Sequence, residues 1–415
     1  MREVDAMLKR SGRGQGKKHR LRRFFRLKTV RGIGVLLLVF IVWVAFSVGQ
    51  ALTAPNGGST TSKLAEWARG HYLGPVITLG EELTYNPPKV GGKPSFSLAI
   101  PSGEAASPAA VSSSKSTDKS TAKSTDKSTA KSKVHQFQPI IPATLSSLAG
   151  KPVPGEGQWR VLEKVHGEPA IFGTFLRDAT YTSYVNGIVS MDQRLVSFQL
   201  HPGNQDPPGT DWGPNSQPWI PPGSRTGLLA TFNGGFMLAS AEGGFYLNGH
   251  TSGTLTPGAA SIVYYKNGTI AIGAWDQNVR MTSSVVGVRQ NLKLIVDNGH
   301  VPASVDQNVE TNWGATLGGG YYVWRSGLGI TRDGRVIFVY GPALNVQDLA
   351  DLLQRAGAVE GMQLDINPFW MSYEYYQPDA HANDPTPVNL LPSQQQSAYR
   401  YYSPYSRDFT AAYSR

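Results

Sequence analysis

From residue 139 onward, short apolar runs alternate with turn residues, a texture of strands more than helices. AIFGTFLR (170–177), GIVSMDQ (187–193) and LVSFQLHP (195–202) read as short strands. SIVYYKNGTIAIGAW (261–275) places Asn267-Gly268 between two apolar runs, a two-residue hairpin signal. GLGITRDGRVIFVYG (327–341) repeats the design around Asp333-Gly334. One helix stands out. Asn345 can cap it, Val346, Leu349, Leu352, Leu353 and Ala356 recur at helical spacing, and Gly357 is its stop. AVEGMQLDI then reads as a buried strand over 362–366, and RDFTAAYSR as a closing strand. The stretch 377–406, rich in Pro, Tyr, Ser and Gln, reads as an irregular surface loop. The fold class is α+β, a mixed, largely antiparallel sheet with few helices.

The N-terminal third has a different pattern. Residues 32–52 are apolar without a charge, and about 20 such residues span a bilayer as a helix. A basic block abuts the run, so the span 32–54 is expected to sit with its N-terminus in the cytoplasm and the rest outside. A buried core helix and a cleaved signal peptide are the competing readings, the latter because a small-residue site ends at Ala54. LAEWARGHYL carries a weak helical face of Leu64, Trp67 and Ala68. The octapeptide STDKSTAK occurs at 116–123 and again at 124–131, and nothing in it can bury surface. Five parts follow: a basic cytoplasmic tail (1–31), a transmembrane signal anchor (32–54), a small extracytoplasmic segment (55–111), a disordered linker (112–138) and a folded domain (139–415).

Charge changes this picture in one respect. The chain of 415 residues carries +10 overall, which alone would point to nucleic acid. Residues 1–31 hold twelve basic residues against two acids, whereas 134–415 hold 17 against 21. The folded part is therefore mildly acidic, and no nucleic-acid partner is expected. Zero Cys excludes disulfides, thiol nucleophiles and thiolate metal sites. No H-E-x-x-H or acidic calcium loop occurs, so no metal site is supported and no cofactor is expected.

Two segments break the strand-and-turn pattern. An apolar strand ends in Asn233-Gly234-Gly235, where glycines either make a tight turn or admit a ligand to the backbone. The strand ending in Asp365 opens into Ile366-Asn367-Pro368-Phe369-Trp370. There Asp365 is placed for acid/base work, Asn367 can grip a hydroxyl, and Trp370 offers a stacking face. The alternative is an Asx turn before proline. Arg325, set among apolar strand residues, needs an anionic partner, either a phosphate or a structural carboxylate. His201 in LHPGNQ, with Lys164 and His166, is a polar residue in a loop, a solvated side chain or a substrate contact. Glu242, Asp297 and Asp306 are candidate second acids.

The ordered series NGGF, GGFYLNG, RSGLGI, a DG hairpin, NVQDLADLLQRAGA and a strand ending in Asp resembles the phosphodiester glycosidase family over roughly 155–375. VRQNLKLIVDNG and DINPFW resemble a membrane-anchored bacterial branch of it. The resemblance implies hydrolysis of a sugar-1-phosphate diester in a cell-envelope glycan, with a carbohydrate or phosphoglycan as substrate. It implies Asn233 and Gly234 at the sugar, Arg325 at the phosphate and Asp365 as acid/base; the residues themselves, rather than the resemblance, add Gly235, Asn367, Trp370 and His201 as expected substrate contacts. The family pattern after the acid is Asp-Gly-Gly-Gly-Ser, so side chains here replace bare backbone, and Pro368 removes an N–H. A non-catalytic glycan- or protein-binding module on the same fold is the alternative.

Overall fold

The computed structural model describes residues 32–53, single positions between 60 and 76, 86–95, and 138–415 apart from 210, 215, 307–312, 314–321 and 378–382. The basic tail, the repeat linker up to 137, most of 55–111 and the glycine-rich 316–320 lie outside the described residues. The chain divides into two units. In the smaller, α1 (Gly32–Thr53) is long and apolar enough to cross a membrane. Trp67 Nε1 donates to Ser47 Oγ on this helix at 2.9 Å.

The larger unit holds the strands β1 (Arg160–Val165), β2 (Glu168–Arg177), β3 (Val185–Asp192), β4 (Val196–His201), β5 (Leu228–Asn233), β6 (Phe245–Leu247), β7 (His250–Ser252), β8 (Ala260–Tyr265) and β9 (Ile270–Ala274). β10 (Val285–Gln290), β11 (Leu294–Val296), β12 (Val323–Thr331), β13 (Arg335–Leu344), β14 (Ala358–Ile366), β15 (Tyr373–Gln377), β16 (Thr386–Asn389) and β17 (Phe409–Ser414) complete it. Among the described residues, two α-helices join them, α2 (Leu238–Ala241) and α3 (Val346–Arg355). The strands form three sheets, ordered β1-β2-β3-β13-β12-β14-β11, β7-β6-β10-β8-β9 and β16-β15-β5-β17-β4. All strand pairs are antiparallel, as short hairpin connections favour.

Both sequence-predicted hairpins form. Gly268 (φ +76°) and Gly334 (φ +84°) take the left-handed conformation their tight turns require. α3 has the predicted cap: Asp348 N donates to Asn345 Oδ1 at 2.7 Å, and Asn345 N returns a bond to Asp348 Oδ2. Its apolar stripe of Val346, Leu349, Leu352 and Leu353 is buried against the seven-stranded sheet, about 1.5–3 kcal/mol for each large side chain. The other face of that sheet shares one core with the remaining two sheets, through residues such as Phe232, Phe338, Tyr373 and Ile262.

Antiparallel strands with few helices agree with the expected class. How the strands divide among three sheets was not readable, because alternation fixes which face a strand buries but not which strand lies beside it. β17 lies between β5 and β4, nearly two hundred residues away along the chain. One expectation differs from the structure: the described part of the stretch 377–406 is no surface loop. It supplies β16, and Leu390, Leu391, Arg400 and Tyr401 are buried. Tyrosine rings with a polar tip pack as core here.

The core also holds an unusual acid. Glu163 on β1 is 5% exposed, its Oε1 has no hydrogen-bond partner, and burial pushes its carboxyl up to about 8. Such a group stabilises the fold while protonated, fully below the unfolded pKa, and loses that contribution as pH rises through about 8. Glu163→Gln is expected to stabilise the protein by roughly 2 kcal/mol near pH 8 and to flatten the pH dependence of Tm between pH 5 and 8. Thermal unfolding across that range checks it.

Candidate active site

Four chain segments converge at one end of the sheets. β5 ends in Asn233-Gly234-Gly235, β14 in Asp365-Ile366, β10 in Arg289-Gln290, and Arg407-Asp408 leads into β17. Pairing of Phe409 with both Asn233 and His201 holds the C-terminal strand between β5 and β4. Gly234 must be glycine, since a Cβ there would stand 2.0 Å from Asp408 Oδ2. Its N–H donates to the Asp408 carbonyl at 3.0 Å. Asn233 ties the strand ends together: Nδ2 donates to Ser326 Oγ at 3.0 Å, Oδ1 accepts from Ser372 N, and Ser326 Oγ donates to the Asp365 carbonyl.

Between these ends lies a buried array of charge. Arg407 Nη2 donates to Asp365 Oδ2 at 3.0 Å and to the Gly235 carbonyl at 2.9 Å. The Nε of the same guanidinium stands 3.8 Å from Asp206 Oδ2. Asp206 also accepts from Leu238 N, at the start of α2. Beside this set, Arg289 makes a two-pronged pair with Asp408, at 2.8 and 3.0 Å, and caps the carbonyls of Phe236 and Gln290. Three buried carboxylates thus face two buried guanidiniums, and one negative charge in the set lacks a counterpart. Protonation is the cheaper answer. Burial accordingly pushes Asp365 up to about 6 against the opposing pull of Arg407, and raises Asp206 in the same way. A carboxyl held near neutrality can exchange a proton at working pH.

The loop after Asp365 keeps a glycine-like backbone without glycine. Asn367 has φ of +102°, a region L side chains rarely adopt. It is held there by three contacts: its N–H donates to the Trp324 carbonyl at 3.0 Å, its Oδ1 accepts from Phe369 N at 3.0 Å, and its carbonyl accepts from Trp370 N at 3.0 Å. The Asx turn read from the sequence is therefore present. Asn367→Gly should leave stability within about 1 kcal/mol of wild type, whereas Asn367→Val should cost roughly 2–3 kcal/mol, because it loses the turn bond and meets the strain. Urea unfolding of the two variants tests this.

The structure brings Asp365, Asn233, Gly234 and Gly235 together. Trp370 joins them through its ring, 5.1 Å from the Arg407 guanidinium carbon. Arg325 is placed differently. Fully buried, it donates from Nε to the Leu344 carbonyl and from Nη1 to Gln363 Oε1, and its charge acts on Asp348 of α3. The guanidinium that meets Asp365 is that of Arg407. His201 stacks flat on Phe409 at 4.6 Å, with Nδ1 at the Gln217 carbonyl, and burial lowers it to about 4, a neutral imidazole. Glu242 and Asp297 are exposed and stand outside the array. Sequence reasoning missed Asp206, Arg289, Arg407 and Asp408. The readable signal was the charged pair Arg407-Asp408 directly before the closing strand. Among the described residues no trio of ligating side chains is gathered for a metal ion.

Residues 226–365 match the phosphodiester glycosidase family. Arg289 and Asp365 fall inside that span, while Asp206, Arg407 and Asp408 fall outside it. Among solved structures the chain is similar to the catalytic domain of zebrafish N-acetylglucosamine-1-phosphodiester alpha-N-acetylglucosaminidase, auto-inhibited by its pro-peptide, at 16% identity and a TM-score of 0.38; the match covers 62% of this chain and 87% of that one. It is also similar to a hypothetical protein from Synechocystis, at 10% identity and a TM-score of 0.36, covering 61% of this chain and 64% of that one. A putative exported protein from Burkholderia pseudomallei K96243 follows at 11% identity and a TM-score of 0.27, covering 55% and 73% respectively. No curated protein matches.

Proposed function

We propose that this chain, which carries a phosphodiester glycosidase domain over residues 226–365, is a membrane-anchored hydrolase that cleaves the glycosidic bond of sugar-1-phosphate diesters in cell-envelope glycans. The observation that carries the reading is the second carboxylate. Asp365 and Asp206 both approach one guanidinium, at 3.0 and 3.8 Å. Chaining the two contacts through Arg407 puts the carboxylates within about 9 Å of each other, inside the reach of glycosidase acid pairs. Ionised Asp365 takes a proton from water as the water oxygen bonds to the anomeric carbon. The bond from that carbon to the phosphate oxygen breaks, and the phosphate monoester departs with the electron pair. That leaving group needs little protonation, so one raised acid and one charge-stabilising carboxylate suffice. Asn233, Gly234 and Gly235 would line the sugar, with Asn367 and Trp370 beside it. Arg325 acts as a support for Gln363 and the strand ends in this scheme. The helix Gly32–Thr53 would anchor the enzyme, with its basic N-terminal tail in the cytoplasm and the folded domain outside.

The test is the full-length protein in detergent, incubated with a panel of sugar-1-phosphate diesters. Release of reducing sugar from at least one is expected. Tight binding across the panel without release would replace the hydrolase with a non-catalytic glycan-binding module.

A further inference from the structure

A cavity of about 690 Å³ lies in the folded domain, and its lining contains none of Asp365, Asp206, Arg407 and Arg289. It runs along β4 from His201 to Ser197 and faces the β8–β9 turn at Lys266, Asn267 and Gly268. At about 3.3 Å per residue, that stretch of strand is about 13 Å long. The volume falls in the range of ligand sites, enough for more than one sugar ring.

The lining has a consistent chemistry. Asn248 Nδ2 donates to the Trp212 carbonyl and Ser216 Oγ, and Asn267 Oδ1 accepts from Thr269, which leaves Asn248 Oδ1 and Asn267 Nδ2 as the amide atoms without a partner among the described residues; Gln199 and Tyr413 also line the cavity, and no Asp or Glu contributes. Lys266 supplies an exposed ammonium, and no ion pair engages it among the described residues. Two lining side chains carry buried polar atoms without a partner, His201 Nε2 and Tyr413 OH. Since His201 is neutral with Nδ1 at the Gln217 carbonyl, Nε2 is left as an acceptor. Buried polar atoms are nearly always satisfied, so two orphans on one cavity point to hydroxyl-bearing occupants. His201 pairs with Phe409, the residue after Asp408, so the cleft begins beside the charge array and leads away from it.

We infer that this cleft is a binding site for a strand of anionic, phosphate-bearing glycan, distinct from the hydrolytic centre. Amides and hydroxyls take the sugar hydroxyls, and Lys266 takes a phosphate charge. The phosphate-bearing ligand class rests on the proposed hydrolase reading, to which the cleft adds the Lys266 ammonium and neutral hydrogen-bonding groups.

The experiment is isothermal titration of the full chain in detergent, carrying Asp365→Asn so that the ligand persists. The probes are a six-unit oligomer of phosphodiester-linked N-acetylhexosamine and a neutral six-unit chitin oligosaccharide. Parent protein is expected to bind the anionic oligomer more tightly than the neutral one. Lys266→Glu, a change at an exposed turn, should weaken anionic binding about tenfold and leave neutral binding unchanged. Equal affinity of the parent for both oligomers, binding of neither, or an unchanged affinity in Lys266→Glu would overturn the inference.

Discussion

Asp365→Asn is expected to lower turnover of a sugar-1-phosphate diester by about a thousandfold, the usual scale for losing a positioned acid/base. The carboxylate is the acceptor of the water proton, and an amide cannot replace it. Its geometry tells against a mere packing effect, because the side chain is nearly isosteric and Oδ1 already accepts from Ile366 N at 2.8 Å. The pH profile carries the same signature. Burial pushes Asp365 up to about 6, so a base in that position is ionised only above it. Wild-type kcat should therefore climb as pH rises through about 6 and fall away in acid, and the residual rate of Asp365→Asn should lack that limb. Rate measurements between pH 4.5 and 8 on both proteins check the two claims together.

Arg289→Leu should be the most damaging substitution for the fold. The guanidinium is 1% exposed, forms a two-pronged bond with Asp408 and holds the carbonyls of Phe236 and Gln290. Removing it strands a buried carboxylate and two carbonyls at once, a loss of about 3–5 kcal/mol. That is a large share of the 5–15 kcal/mol that holds a typical domain together. The double variant Arg289→Leu with Asp408→Leu should lie closer to wild type than Arg289→Leu alone, because no charge is left unpaired. Denaturant midpoints of wild type and the two variants at pH 7 measure this.

What the sequence made legible follows from how local each signal is. The α3 cap, its apolar stripe and the two hairpins are written within ten or fifteen consecutive residues, and all appear where expected. Asp365 was legible as an acid at the mouth of a buried strand. Its partner was not, because the guanidinium that meets it comes from Arg407, 42 residues later. Arg325, one strand over, offered a plausible cation but turns to Gln363 and Leu344. Asp206 reaches Arg407 through a bridge between two loops, and no periodicity marks such a meeting. The loop 365–370 was read as a departure from glycine-rich backbone. At Asn367 the chain nevertheless takes a glycine-like φ, stabilised by the residue's own side chain, a compensation visible only once the turn is formed.

The central claim is that the bond broken is the one between the anomeric carbon and oxygen. Hydrolysis of a sugar-1-phosphate diester in water enriched with oxygen-18 reads this directly by mass spectrometry of the products. Label in the anomeric hydroxyl of the released sugar, with none in the phosphate monoester, is the predicted result. Label in the phosphate would mean attack at phosphorus, and would contradict Asp365 as the base at the anomeric carbon and Asp206 as its charge-stabilising partner.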